Sequence, residues 1–424
     1  MKYAVITFGC RVNQADSLGF EEELRAAGAT AVPADAADLV IVNTCSVTAS
    51  ADQSARQTIR RVARANPGAK IVVTGCYATR RPDELAALPN VVRVVRNDDK
   101  PRLIPLVHLA VTGDGPCGAA IEPGVAGRTA FTLRVQTGCA EPCSYCIIPA
   151  TRGAPRSVPV DDVLREVERV TSAGFKEVAL TGVHLGSYGR DLESPSSLID
   201  LLRALDGFDA SGATLSGSPS SILFRISSLE PMDCSTEIVD LVARSERFAP
   251  HFHLPLQHAS NRVLAAMRRP YTIAQYSTLV DEIRATMPGA SIGSDIIVGF
   301  PTETDEEFEE LAAYLERAPL THLHVFPYSD RPGTAASAMA DKVPGIVVRE
   351  RARRVRELGR RLTERFHESQ VGTTHRALTL EDGSLAVTGN YLKVRIPPGR
   401  TRNEWVNVVV TEIGDTIRGN LVIR

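Results

Sequence analysis

Twice in this chain, short apolar runs alternate with helix-length amphipathic segments, and a β-α-β order of that kind leads to parallel sheets covered by helices. In the first hundred or so residues the strand-like runs are 3–7, 39–43, 71–74 and 91–95, with candidate helices over 17–27, 49–65 and 82–87. From Phe131 the alternation resumes, with strands expected at 131–136, 176–181, 222–227, 250–256, 291–298 and 321–326 and helices including 161–172, 237–243, 273–285 and 306–315. Six such steps predict an open or partial (β/α) barrel whose ligand site lies at the carboxyl ends of the strands. Residues 371–424 then switch to five short alternating strands, which predict a small β-barrel. The expected fold class is therefore α/β. It comprises an N-terminal parallel α/β domain (1–110), a glycine-rich linker (111–128) holding Cys117 as a free thiol, a central open barrel (129–340), a basic linker helix (341–370) and the C-terminal β-barrel (371–424). The Ser- and Gly-rich stretch 209–221 predicts an external loop.

The eight cysteines are placed with regularity. Cys139, Cys143 and Cys146 form a C-x3-C-x2-C loop directly after the first barrel strand. Three thiolates on one short loop can hold three irons of a cubane cluster and leave the fourth open to chemistry. The alternative is a structural zinc loop, but zinc sites are normally closed by four ligands and no fourth is nearby. Cys10, Cys45 and Cys76 each follow a strand of the N-terminal domain. The carboxyl ends of parallel strands share one edge, so these three converge there. A single cysteine is more often just a small buried residue. Three at the same topological position point to a second three-cysteine cluster.

Strand periodicity sorts the barrel residues. His251, His253 and Gln257 share one face and Phe252, Leu254 and Leu256 the other; His322 and His324 stand opposite Leu323 and Val325, and Arg225 and Ser227 alternate with Phe224 and Ile226. Each histidine taken singly fits a packing role; together they mark a polar lumen that needs polar partners. Gly182 and Gly299 follow strands, where backbone can approach a ligand closely.

A net charge of −2 makes no global case for nucleic acid, so any basic surface is local. Candidates are the helix stripe Arg56, Arg60, Arg61 and Arg64, and the run 349–366 with eight arginines against three glutamates. Either could be only a solvated face. The C-terminal block adds seven basic residues, among them Arg376, Lys393 and Arg395, against five carboxylates. No window approaches a membrane span and the N-terminus lacks signal-peptide features, which predicts a cytoplasmic protein with reduced cysteines.

Several of these segments carry a family resemblance. The cysteine loop, with Tyr145 just before its third cysteine, resembles the signature of the radical S-adenosylmethionine (SAM) superfamily, which implies a [4Fe-4S] cluster on Cys139, Cys143 and Cys146 with SAM on its fourth iron. Phe8-Gly9-Cys10-Arg11-Val12-Asn13-Gln14, Asn43-Thr44-Cys45-Ser46-Val47-Thr48 and Thr74-Gly75-Cys76-Tyr77-Ala78 resemble the N-terminal domain of the methylthiotransferases. That implies a second [4Fe-4S] cluster, on Cys10, Cys45 and Cys76, which carries or receives the sulfur to be inserted. Residues 181–189 and Ser294–Pro301 resemble the family's second-strand loop and its segment near SAM, so the expected SAM contacts are Tyr145, Gly182, Arg225, Ser227, Gln257, Asp295 and Gly299. Residues 371–424 resemble the RNA-binding TRAM domain.

The resemblance implies that one SAM methylates the sulfur and a second is cleaved to a radical that removes an unactivated hydrogen; no catalytic side chain beyond the cluster ligands is expected. Gly9-Cys10-Arg11-Val12-Asn13-Gln14, 55–61, Thr181-Gly182-Val183-His184 and 322–329 resemble most the branch acting on N6-threonylcarbamoyladenosine in tRNA. Isopentenyladenosine in tRNA and a ribosomal-protein aspartate are the alternatives within the family, and a non-catalytic metal-containing RNA-binding protein is the alternative outside it. The implied partners are tRNA, an electron donor such as flavodoxin or ferredoxin, and a sulfur source, with no membrane. Thr302 stands where family members often have Gly, and His258-Ala259 where they often have Ser-Gly, which leaves local substrate contacts open.

Overall fold

The computed structural model describes residues 1–106, 121–124, 128–208 and 222–422. Cys117, most of the predicted linker 111–128 and the predicted loop 209–221 lie outside the described residues. The chain divides into two compact units that do not follow sequence order. The first is Met1–Ile121 with Gln136–Arg156 and Ser329–Ser337; the second is Glu122–Val135, Ser157–Tyr328 and Ala338–Arg424.

A five-stranded sheet organises the first unit. Its strands are Lys2–Thr7, Thr30–Ala31, Leu39–Thr44, Lys70–Gly75 and Val91–Val95, and each neighbouring pair is parallel. All six residues of Leu39–Thr44 are buried, as a strand covered on both faces requires. Val40, Val42, Ile71 and Val73 pack with Ile59 and Val62 of the helix Ala49–Ala65, while Ile41 and Val72 pack with Phe20 and Leu24 of the helix Arg11–Ala26. Thr30–Ala31 was not foreseen, because two exposed residues carry no periodic signal. Register sets Thr7 beside Asn43 and Asn43 beside Thr74, so the loops bearing Cys10, Cys45 and Cys76 leave the same edge.

The second unit holds six barrel strands in two parallel three-stranded sheets. Leu223–Ile226, Glu177–Thr181 and Phe131–Arg134 form one; His251–His253, Ser291–Val298 and His322–Pro327 form the other. A bridge between Phe224 and Phe248 leads from the first towards the second, and no pairing among the described residues closes the first strand on the last, so the barrel is open. The fourth strand, expected over 250–256, stops at His253. Pro255 has no N–H for a ladder and Gln257 takes a φ of +68°. The helix Gly345–Ser369 buries Val355, Leu358, Leu362 and Phe366. Five of its arginines, Arg351, Arg353, Arg354, Arg360 and Arg361, are ion-paired with glutamates, so much of the basic run is a paired helix face.

The C-terminal strands Thr374–Leu380, Leu385–Thr388, Lys393–Arg395, Trp405–Glu412 and Ile417–Leu421 close into a barrel around Ala377, Ala386, Val394, Val408 and Val410. The loop after its second strand docks on the large barrel. Asn390 Nδ2 donates to Gly289 O at 2.9 Å, and Tyr391 lies 5.1 Å from His251, ring to ring.

Candidate functional site

Both cysteine groups belong to the first unit. Gly9 and Gly75, which precede Cys10 and Cys76, have φ of +89° and +100°. A Cβ on Gly9 would stand 2.5 Å from Cys45 Cβ, and one on Gly75 2.2 Å from Thr44 O, so only glycine lets these loops close on Cys45. The motif asparagines fix the loops: Asn13 Nδ2 donates to Phe8 O at 2.9 Å and Thr44 O at 3.0 Å, and Asn43 Nδ2 to Asn13 O at 2.8 Å. Cys45 and Cys76 are buried and Cys10 is exposed. Burial pushes the Cys45 thiol up to about 12; a hydrogen bond from the Val47 backbone opposes this, and Cys10, Cys76 and Asp52 add to it. Cys10 and Cys76 thus lie within electrostatic reach of Cys45. A thiol so disinclined to ionise becomes a ligand when a metal takes the place of its proton.

The second cysteine group is pinned at its neck. Cys139 N–H donates to Gly153 O at 3.0 Å, and Gly138, with φ +76°, passes so close to Ala154 that a Cβ would meet its carbonyl oxygen at 1.9 Å. Cys139, Cys143 and Cys146 are half-buried, the Glu141 N–H faces Cys139 Sγ at 3.4 Å, and Tyr145 sits half-buried among them. Sulfurs closed on one tetrahedral zinc at about 2.3 Å each would stand about 3.8 Å apart. Neither cysteine group is drawn in so tightly: among the described residues, the group of three or more His, Cys, Asp or Glu ligand atoms within 4.8 Å of one another is His253, Asp295 and His324.

Sequence reasoning missed the charges around these cysteines. Arg152 and Lys100, both buried, share the buried Asp16: Lys100 Nζ lies 2.6 Å and Arg152 Nη2 3.4 Å from Asp16 Oδ2. Arg152 also donates to Asn13 Oδ1 at 2.6 Å and Thr137 Oγ1 at 3.2 Å. Around Asp52, Arg331 Nη1 sits at 2.9 Å, Ser46 Oγ donates at 2.9 Å and Arg80 completes the group. Asn97 Nδ2 reaches Thr151 O at 2.7 Å and Cys76 Sγ at 3.7 Å, tying the loop of one cysteine group to a cysteine of the other. No local pattern marks these residues, because their partners are distant in sequence.

In the second unit the lumen is polar, as the alternation predicts. His253 Nε2 lies 2.8 Å and His324 Nδ1 3.2 Å from the same oxygen of Asp295. Burial alone would raise the Asp295 pKa, yet the hydrogen bonds from both imidazoles hold it well below the usual carboxylate range. Two N–H donors on one carboxylate oxygen account for this trio without a metal. The Gln257 N–H donates to Asp295 O at 2.8 Å, and Leu229 N–H to His253 O at 2.9 Å, which runs the segment after the third strand alongside the fourth. Ser227 Oγ is buried without a hydrogen-bond partner, as a hydroxyl meant for a ligand would be. Gly182 is half-buried directly after the second strand.

Two expected SAM contacts have other roles. Arg225 is fully buried, paired with Glu177 at 2.9 Å, donating to Gly389 O at 2.8 Å and lying 4.5 Å over the Tyr391 ring. Its donors serve the docking of the C-terminal barrel and the buried Glu177. Gly299, with φ +75°, is bare because a Cβ would stand 2.4 Å from Val348 of the long helix. The family departures are absorbed locally as well. Thr302 takes a φ of +70°, which glycine adopts more readily, and accepts from Arg262 at 2.6 Å through its carbonyl. His258 is buried, with Nδ1 accepting from Ser260 N–H at 3.0 Å.

Residues 2–96 match the uncharacterized protein family UPF0004, and residues 133–315 match the radical SAM superfamily. Threonylcarbamoyladenosine tRNA methylthiotransferase MtaB of Aquifex aeolicus is 37% identical over 97% of this chain and 100% of its own length, and MtaB of Bacillus subtilis 34% over 92% and 88%. This chain belongs to the MtaB family. The tRNA-2-methylthio-N(6)-dimethylallyladenosine synthase of Corynebacterium efficiens is 33% identical over 90% of this chain and 75% of its own. Among solved structures, TsrM of Kitasatospora setae with cobalamin and a [4Fe-4S] cluster bound gives a TM-score of 0.55 over 79% of this chain and 77% of that one, at 16% identity, a likeness of fold. The UPF0004 match of this MtaB-family chain spans Cys10, Cys45 and Cys76, and its radical SAM match spans Cys139, Cys143 and Cys146. The superfamily implies a [4Fe-4S] cluster and SAM. No helix among the described residues is long and apolar enough to cross a membrane.

Proposed function

We propose that this chain is the tRNA methylthiotransferase that places a methylthio group at C2 of N6-threonylcarbamoyladenosine beside the anticodon. The observation that carries this reading is the similarity to MtaB proteins over nearly the whole chain; its support in the fold is that both cysteine groups fall in one compact unit. Cys139, Cys143 and Cys146 hold the [4Fe-4S] cluster that binds SAM, and Cys10, Cys45 and Cys76 hold a second. Bound SAM supplies the oxidising power to take a hydrogen from a carbon too weakly acidic for a general base. The side chains bind and orient: Tyr145, Gly182, Ser227 and Gln257 line the SAM site, and Asp295, kept anionic by His253 and His324, accepts ligand N–H or O–H groups. The C-terminal barrel contributes to tRNA binding, an electron donor such as flavodoxin or ferredoxin and a sulfur source complete the reaction, and the setting is the cytoplasm.

Mass spectrometry of tRNA nucleosides from cells with and without the gene tests the substrate. The 2-methylthio-threonylcarbamoyl nucleoside should vanish in the deletion, leave its unthiolated parent, and return on complementation. Its persistence would overturn the assignment, and loss of the 2-methylthio-isopentenyl nucleoside instead would move it to the other tRNA branch.

A further inference from the structure

The charges buried beside Cys10, Cys45 and Cys76 do not balance by themselves. Among the described residues, the ion pairs here set Arg152 and Lys100 on the one carboxylate Asp16, and Arg80 and Arg331 on Asp52, two cations to each carboxylate. An uncompensated ion away from water is strongly unfavourable, so a buried surplus of one sign favours a neighbour of the other. Arg152 Nε, Arg80 Nε and Arg331 Nη2 are also buried without hydrogen-bond partners. Arg152 lies against Cys76 with Cys10 in electrostatic reach, and Asp52 of the second group is among the charges felt by Cys45. A doubly positive cubane core on three thiolates carries one net negative charge, and two after it takes an electron. The surplus therefore has the sign such a group needs.

We propose that Arg152, supplied by the short helix Ile148–Arg152 that follows the loop of Cys139, Cys143 and Cys146, is the counter-ion of the anionic cluster on Cys10, Cys45 and Cys76, and that with Asp16 it sets that cluster's reduction potential. The inference rests on the reading that these three cysteines hold an iron–sulfur cluster. Arg152 is a positioning residue: it acts through the cluster's charge and touches no substrate. It also makes one cysteine loop part of the other group's surroundings, so the two sites are electrostatically coupled.

The test uses the full chain carrying Cys139→Ala, Cys143→Ala and Cys146→Ala, which leaves only the N-terminal group, with iron counted and the potential followed by electron paramagnetic resonance. Adding Arg152→Met should lower the reduced-to-oxidised ratio at a fixed potential by about tenfold, which is 59 mV for one electron. Asp16→Asn should raise the ratio, and Arg152→Lys should leave it near the parent. Opposite shifts on removing opposite charges are what a merely structural role would not produce. Unmoved potentials, or shifts of the same sign, overturn the inference while leaving the cluster reading intact. A parent without iron overturns the cluster reading itself. If Arg152→Met takes up no iron but Arg152→Lys does, the need for the charge stands; if neither does, the counter-ion role fails.

Discussion

His258 is a titratable side chain with no exposed surface, hemmed in by Glu303, Glu307, Arg262 and Arg351. Burial lowers its pKa from 6.5 to about 4, and His322 is lowered to about 4 in the same way. Because the unfolded chain takes up these protons more readily than the folded one, the contribution to stability is complete above pH 6.5 and is lost as the pH falls towards 4. Urea unfolding should show stability falling across that window by up to about 1.4 kcal/mol per pH unit for each histidine. His258→Ser should flatten the slope even if it lowers the plateau, and an unchanged slope in that variant would assign the loss to other groups. At this scale the six cysteines of the two groups were legible because residue type and position after a strand suffice to mark them. Asp16, Arg152 and Asp52 were not, since Arg152 lies 136 residues from Asp16 and nothing local announces a partner at that distance.

Elements were legible where burial imposed a period. The central strand Leu39–Thr44 and the paired sheets of the barrel follow the apolar pattern closely, whereas the fourth barrel strand ends early because hydrogen bonding, not hydrophobicity, decides where a ladder stops. Arg225 shows the limit of period-two reasoning: alternation turned it inward, but could not name the partners it meets there. It holds the C-terminal barrel through Thr388 O, Gly389 O and the Tyr391 ring while neutralising the buried Glu177. Arg225→Ala should therefore cost about 3–5 kcal/mol, the usual result of stranding one member of a buried pair. Chemical denaturation should reveal that loss, with SAM affinity unchanged in the folded fraction. A stable variant with weakened SAM binding would restore the cofactor role.

For the molecule as a whole, a net charge of −2 means that tRNA affinity must come from local basic surface. Much of the arginine-rich helix is paired internally, which leaves the C-terminal barrel, where Lys393 and Arg395 are exposed on one strand, as the better candidate. Binding to tRNA should weaken as salt rises, and Lys393→Ala should reduce the log–log slope by about 0.7–0.9, the contribution of one phosphate contact. An unaltered slope would remove that lysine from the interface.

The sequence by itself determined the α/β class, the placing of the six cysteines after strands and the family they resemble, because hydrophobic period and residue type are local properties. Tertiary structure alone decided that residues 136–156 and 329–337 belong with the N-terminal sheet and that Arg225 serves docking. It also decided that two carboxylates are each shared by two cations beside the cysteines. Charge balance in a low-dielectric interior is a sum over everything nearby, and what is nearby is known only once the chain has folded.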